Sequence, residues 1–186
     1  MESLTATKKT WTYQDYLRLD DDKRYEIING ELIMTPSPLS VHQRILVELT
    51  SLFHVFVRGK NLGTVFCAPT DVVFSEKNIF QPDILFISKE NQKIIKEKNI
   101  EGAPDLIVEI LSPSTALNDL TIKKDVYQES GVKELWYVSP DEKSVVIYQN
   151  SEKGFKQLAT GKGDEKVQSK LLEDFSVQLK ELFPKD

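Results

Sequence analysis

The chain has 186 residues and a formal net charge of −5, with 40% hydrophobic and 28% charged residues. This composition is typical of a globular protein with a hydrophobic core, and the length favours one domain over residues 1–186. Cys67 is the only cysteine, which excludes an internal disulfide and a cysteine-based metal cluster. The chain starts without a signal-like apolar run and has no membrane-length segment, so we expect a cytoplasmic protein that does not bind membranes. The net charge argues against a protein that coats nucleic acid, although local basic groups could still contact phosphates.

The first part of the chain predicts a short helix, a hairpin and a long helix. Asn29 and Gly30 lie between "YEII" and "ELIM", the strongest short-range pattern for a two-residue type I′ turn. Ser40 and Gln43 have the spacing of a capping box, and the helix that they begin should end near Gly59. Apolar residues at helical spacing mark its buried face: Val41, Ile45, Leu49, Leu52, Phe53 and Phe56.

The middle of the chain predicts three strands. The first two are "GTVFCAPTDVVFS" (63–75) and "IFQPDILFIS" (79–88), with Pro82 at the first position of a strand, where a missing N–H is tolerated. A charged and partly helical connection follows. The third strand is the apolar run "PDLIVEIL" (104–111).

The last part of the chain predicts a helix followed by further strands. Asn118 is placed as the helix N-cap, and Ser130 and Gly131 mark its end. "KELWYVSP" and "SVVIYQN" form a strand pair, and the tail adds strands and a short helix. The whole order predicts an α/β fold with a mixed central sheet flanked by helices, an N-terminal hairpin and C-terminal strand additions.

Two of the predicted strands carry a carboxylate. Glu109 lies inside the apolar run 104–111, and Asp83 stands at the start of "DILFI". If these strands are neighbours, the two side chains can face the same side of the sheet. Adjacent carboxylates repel unless a cation bridges them, and Mg²⁺ needs few protein ligands because it keeps several waters. The alternative is that each carboxylate caps a backbone group or pairs with a nearby lysine.

The helix after "SPST" contributes a lysine. On a helical wheel of about 100° per residue, Lys123 falls within the apolar arc that includes Leu120 and Tyr127, whereas Lys124 falls outside it. Lys123 should therefore project toward the sheet, with Asp119 one turn earlier to hold its ammonium. The alternative is a lysine that extends along the rim to reach water. A divalent metal held by two acids, with a lysine close by, is suited to phosphodiester cleavage.

Several segments of the chain form a distinctive set: "RYEIINGEL", "SVHQRIL", "QPDILFI", "PDLIVEILSPST" and "YQESGVKELWYVSP", together with Asp119 and Lys123. Together they resemble the Uma family of restriction endonucleases within the PD-(D/E)xK superfamily. The resemblance extends from about Trp11 to Phe183 and implies the restriction-endonuclease-like fold.

The resemblance also implies a site. Asp83 and Glu109 would bind Mg²⁺, or Mn²⁺ in its place, with the backbone carbonyl of Ile110 as a third ligand. The superfamily's usual strand lysine falls at Leu111, so Lys123 would take its catalytic role from the helix. The implied activity is a Mg²⁺-dependent endodeoxyribonuclease that cleaves DNA, with RNA not excluded.

A nuclease of this size is expected to be a homodimer, because one active site cuts one strand. The basic groups that could contact DNA are Lys93, Lys96, Lys98, Lys123 and Lys124. The alternative function is a non-catalytic interaction or regulatory module that keeps the nuclease fold. The acidic net charge favours this alternative.

Four other residues have weaker support. Glu26 could reach the metal, or it could pair with the basic residues just before it in the chain. His42 borders the apolar face of the long helix, where a helix-anchoring role is favoured over a catalytic one. Asp71 is interpreted as a structural or outer carboxylate, and His54 has no supporting context.

Overall fold

The computed structural model describes residues 9–113 and 116–183. Its first elements are α1 (Tyr13–Tyr16), β1 (Tyr25–Ile28) and β2 (Glu31–Met34). β1 and β2 pair antiparallel around Asn29 and Gly30, whose φ angles are 51° and 79°. Two successive positive φ angles are what a type I′ turn requires, so the predicted hairpin is confirmed.

The long helix α2 extends over Ser40–Gly59 and ends where the sequence predicts. Ile45, Leu49 and Phe53 from its apolar face are fully buried, whereas Leu52 is 39% exposed. The predicted capping box is wrong. Leu39 occupies the N-cap position without a side-chain hydrogen bond, so Ser40 lies one residue too far into the helix to cap it.

The strands between residues 63 and 110 belong to two different sheets. They are β3 (Gly63–Cys67), β4 (Val72–Ser75), β5 (Asn78–Phe80), β6 (Ile84–Ser88), β7 (Ile100–Glu101) and β8 (Leu106–Ile110), with a 3₁₀ helix at Lys89–Ile94. The predicted strands 63–75 and 79–88 are therefore each divided. Pro69 and Pro82 lie in the gaps, where their missing N–H groups cannot extend a strand ladder. Pro82 is not the first residue of a strand, because β6 begins at Ile84.

The remainder of the chain begins with an interrupted helix. Its elements are α3 (Ala116–Asn118), a π-helical turn (Asp119–Lys123), α4 (Lys124–Ser130), β9 (Glu134–Ser139), β10 (Ser144–Gln149), β11 (Lys156–Lys162), β12 (Lys166–Gln168), β13 (Ser176–Gln178) and α5 (Leu179–Leu182). Asn118 has helical backbone angles, so the prediction that it caps this helix is wrong. Gly131 ends the helix with a φ of 93°, as its position predicts.

The strands form two larger sheets and a small one. The six-stranded main sheet has the order β11-β10-β9-β8-β6-β3, in which β8 and β9 are parallel and the other neighbours antiparallel. A five-stranded second sheet has the order β2-β1-β5-β4-β7, and β12 pairs with β13. The mixed α/β fold with an N-terminal hairpin is thus confirmed, and the hairpin is part of the second sheet.

The two faces of β8 pack against different hydrophobic clusters. Leu106, Val108 and Ile110 share a cluster with α2 and α5. Ile107 lies in the cluster on the other face, which includes Tyr127 and residues of the second sheet. Because side chains alternate along a strand, Glu109 shares the face of Ile107. Within the described part of the chain, none of the helices has both the length and the apolar composition needed to cross a membrane.

Candidate active site

Asp83 and Glu109 lie on neighbouring strands, as the sequence predicts. β6 and β8 pair antiparallel with Ile84 opposite Val108, and Asp83 immediately precedes β6. The backbone N–H of Ile110 donates a hydrogen bond of 2.7 Å to Asp83 Oδ2, which fixes this carboxylate at the end of β8. Both acids line one cavity of about 560 Å³.

Lys123 reaches this cavity from the helix on the second-sheet side. It is 4% exposed, and its Nζ lies 2.9 Å from Glu26 Oε1, 3.0 Å from Asp119 Oδ1 and 3.6 Å from Glu109 Oε1. The inward direction of Lys123 and its pairing with Asp119 are as predicted.

The side chain of the neighbouring lysine, Lys124, does not line the cavity. The Nζ of Lys124 lies 3.7 Å from the centroid of the Tyr148 ring, outside the cavity lining. The assignment of Leu120 to the inward arc is wrong, because this residue is 45% exposed. The buried arc is instead formed by Asp119, Lys123 and Tyr127, spaced four residues apart.

Glu26 joins the cluster from β1 of the second sheet. Besides the ammonium of Lys123, its Oε1 accepts a hydrogen bond of 2.8 Å from the backbone N–H of Gln81. The basic residues before Glu26 in the chain are not its partners among the described residues. The second sheet therefore contributes a carboxylate to a site otherwise built on the main sheet and the helix.

Burial and neighbouring charges shift the ionisation of the cluster. Burial raises the pKa of Glu109 well above 4.5, and Asp119, Asp83 and Glu26 raise it further, whereas Lys123 lowers it. Burial alone would lower the pKa of Lys123. The surrounding carboxylates, with Glu109 the strongest, outweigh burial and hold this pKa well above 10.5. Lys123 is therefore an ammonium throughout the neutral range.

Glu109 has one further partner, the hydroxyl of Tyr127, which donates a hydrogen bond to Oε1. Burial and the charge of Glu109 raise the pKa of Tyr127 well above 10, so the phenol stays neutral. Among the described residues, none donates a hydrogen bond to Glu109 Oε2. One oxygen of this carboxylate is therefore held by protein donors, and the other is left for a further ligand.

His42 also belongs to the site, although its position on an apolar helix favoured an anchoring role. Its Nε2 lies 3.2 Å from each of Oδ1 and Oδ2 of Asp83. The sequence signal that could have identified His42 as a site residue is its position within "SVHQRIL", one of the segments that resemble the family. Tyr127 and Gln81 were missed as well. Tyr127 was counted only among the apolar residues of its helix, yet it stands four residues after Lys123, and Gln81 directly precedes the "PD" of Asp83.

Other predicted residues lie outside this cluster. Asp71 is half-buried and accepts a hydrogen bond of 2.8 Å from Gln81 Nε2, beside a second cavity that Lys96 and Lys98 also line. His54 lies on the exposed face of α2, and Lys93 is exposed on the 3₁₀ helix.

Comparisons with known proteins agree with this fold. A family model, Uma2, described as "Putative restriction endonuclease", matches residues 13–180, so the chain belongs to this family. An uncharacterized protein of Synechocystis sp. is 27% identical over 128 residues, which cover 67% of this chain and 72% of that protein. A crystal structure from Anabaena variabilis, described as "a putative nuclease belonging to DUF820", has a TM-score of 0.77 at 23% identity and covers 92% of this chain and 97% of its own. This last likeness establishes the fold.

Proposed function

We propose that this protein is a Mg²⁺-dependent endonuclease that hydrolyses phosphodiester bonds of DNA, with Asp83, Glu109 and Lys123 as its catalytic residues. The observation that carries the proposal is the meeting of these three side chains in one open cavity. The description of the Uma2 family is consistent with this activity.

The donor set of the cavity fits a hard divalent cation. Four carboxylates line it, from Glu26, Asp83, Glu109 and Asp119. In the described part of the chain no three His, Cys, Asp or Glu side chains are grouped to enclose a metal by themselves. Mg²⁺ does not need such an enclosure, because one or two carboxylates and several waters suffice. The excess of acids over ammonium groups also favours the binding of a further cation.

In this proposal Asp83 and Glu109 hold the metal, Mg²⁺ or Mn²⁺, with the carbonyl of Ile110 as a third ligand and Glu26 within reach of the same cavity. The bound metal would lower the pKa of a water and stabilise negative charge on the phosphate. His42 orients the Asp83 carboxylate from α2, and the N–H of Ile110 fixes one of its oxygens.

Lys123 would act as a cation and not as a base. A group whose pKa lies well above 10.5 does not accept a proton at neutral pH. Its ammonium can donate to a phosphate oxygen and stabilise the charge that develops there in the transition state. Glu26 and Asp119 hold it in place from two sides.

The proposed protein partners and substrate follow from the chemistry of cutting both strands. Since one active site cuts one strand, we propose a homodimer on duplex DNA, and RNA remains an open substrate class. The net charge of −5 implies that contacts with phosphates are local.

One observation favours the alternative of a non-catalytic module. Lys123 already forms close ion pairs with Glu26 and Asp119, an arrangement that could serve the packing of the second sheet on the main sheet. The same ion-pair network would then only stabilise the fold, and the protein would neither bind a metal nor cleave nucleic acid.

Nicking of supercoiled plasmid DNA by purified protein in Mg²⁺ tests the proposal. Lys123→Ala should lower the cleavage rate by about 10²-fold or more, the scale of losing one transition-state donor. Lys124→Ala is the matched control, because its side chain lies outside the cavity lining. It should mainly weaken DNA affinity, in a salt-dependent way.

Circular dichroism of each variant first establishes that it is folded. Equal effects of the two substitutions would contradict the role of Lys123. A wild-type protein that neither nicks DNA or RNA nor binds Mg²⁺ or Mn²⁺ would favour the non-catalytic module.

A further inference from the structure

A second cavity, of about 460 Å³, adjoins the candidate active site. Arg24, Pro69 and Gln81 line both cavities, so the two share a wall. A strand of nucleic acid that places a phosphate in the first cavity would bring an adjacent nucleotide to the second.

Gln81 connects the two cavities chemically. Its backbone N–H donates to Glu26 Oε1 at 2.8 Å, and its side-chain Nε2 donates to Asp71 Oδ1, also at 2.8 Å. Because a carboxylate only accepts, the amide nitrogen must face Asp71, which leaves the Gln81 carbonyl oxygen to accept from another group. None of the described residues donates a hydrogen bond to this oxygen.

The rest of the second cavity suits a nucleotide. Tyr16 and Phe66 contribute aromatic rings to its lining, and bases stack well on such rings. The three cations of the lining, from Arg24, Lys96 and Lys98, outnumber its two acids, Asp71 and Glu97, and both lysines are exposed.

Arg24 is the cation best placed between the two cavities. It is half-buried, and no carboxylate among the described residues pairs with its guanidinium. A phosphate group would supply the bidentate partner that arginine prefers.

We propose that the second cavity binds the nucleotide next to the scissile phosphate, with Arg24 on its phosphate and the Gln81 carbonyl on an amino group of its base. The identification of this nucleotide as part of the substrate rests on the proposed function. Adenine carries an exocyclic amino group, whereas the base purine has no N–H to donate once it is attached to the sugar, so this position should favour adenine over purine.

Nucleotide binding can be measured without cleavage. The full chain, labelled with ¹⁵N, is titrated with dAMP and with the 5′-monophosphate of purine 2′-deoxyriboside, which lacks the amino group, while amide signals are followed by NMR. dAMP should shift the signals of Asp71, Gln81 and Asn99, which all line the second cavity, and it should bind at least about fivefold more tightly than the purine nucleotide, the scale of one hydrogen bond. Gln81→Met, which keeps the backbone N–H to Glu26, should remove this preference.

Equal affinities for dAMP and the purine nucleotide, or a preference that survives in Gln81→Met, would overturn the inference. Shifts confined to the first cavity would overturn it as well. The result is independent of the nicking assay. A protein that nicks DNA without these shifts keeps the proposed function and loses this inference. A protein that shows the shifts without nicking keeps the nucleotide-binding site and loses both the proposed function and the assignment of the bound nucleotide to the substrate.

Discussion

Glu109 and Glu134 are both buried, on neighbouring parallel strands of the main sheet, yet their carboxylates are stabilised in opposite ways. Glu134 is 1% exposed, and neutral donors surround it. These donors are Trp136 Nε1 at 2.7 Å, Ser169 Oγ at 2.7 Å, Lys170 N at 2.9 Å and Leu171 N at 3.0 Å. Such a carboxylate ties the C-terminal segment to the sheet, and nothing in its surroundings calls for a further cation.

Among the described residues, Glu109 has a single neutral donor, the hydroxyl of Tyr127, and shares the ammonium of Lys123 with two other acids. Burial leaves its pKa well above 4.5. The difference teaches that burial alone does not mark a functional carboxylate. A buried acid is a candidate for chemistry when acids outnumber the donors and cations that could satisfy them.

The largest effect should appear when glutamine replaces each glutamate in a separate variant. Glu134→Gln should lower the free energy of unfolding by about 3 kcal/mol, because the amide NH₂ would face the N–H donors of Lys170 or Leu171. Urea denaturation in EDTA measures it. Glu109→Gln, the control, should not lower this free energy. If Glu109→Gln lowered the free energy of unfolding by several kcal/mol, Glu109 would instead be a structural partner in a buried salt bridge.

An intermediate effect should appear in the pH dependence of Glu109→Gln. The folded pKa of Glu109 is raised above 4.5, so its stabilising contribution is complete below pH 4.5 and is lost as the pH rises through the folded value. Glutamine does not titrate. The variant should therefore gain on the wild type by up to about 1.4 kcal/mol per pH unit between pH 4.5 and the folded pKa, and the gain should level off above the folded pKa. Urea denaturation of both proteins in EDTA across this range provides the test, and a gain in the opposite direction would contradict the pKa shift.

The smallest effect should come from removing one neutral donor at each glutamate. Tyr127→Phe should lower the free energy of unfolding by about 1 kcal/mol, the usual net value of one hydrogen bond. Ser169→Ala should lower it by about 2 kcal/mol, because Ser169 Oγ also accepts a hydrogen bond of 2.9 Å from the N–H of Leu172. Thermal unfolding under metal-free conditions compares them directly. If Tyr127→Phe cost several times more than Ser169→Ala, Glu109 would depend on neutral donors as Glu134 does, and the contrast between the two acids would fail.

The parts of the site that the sequence predicted depend on local patterns. A carboxylate inside an apolar strand stands out without any structure, as Glu109 does. Helical periodicity places Lys123 and Asp119 on one face, because residues four apart are neighbours on a helix. The hairpin at Asn29 and Gly30 follows from turn chemistry alone.

The parts that were missed depend on contacts between distant segments. Glu26 and Lys123 are 97 positions apart and meet only because the second sheet packs against the helix. His42 and Asp83 are 41 positions apart, on different elements. The division of strands at Pro69 and Pro82 sends their halves to separate sheets, which strand propensity does not reveal. Leu120 was misplaced because an apolar residue next to the buried arc was taken as part of it.

The binding of a divalent cation between Asp83 and Glu109 is the central claim, and a crystal soaked in Mn²⁺ tests it most directly. The account predicts an anomalous density peak in contact with both carboxylates and with the carbonyl of Ile110, and no such peak in crystals of Glu109→Gln. Crystals of the wild type without a peak at these two acids, or with the same peak after the substitution, would contradict it.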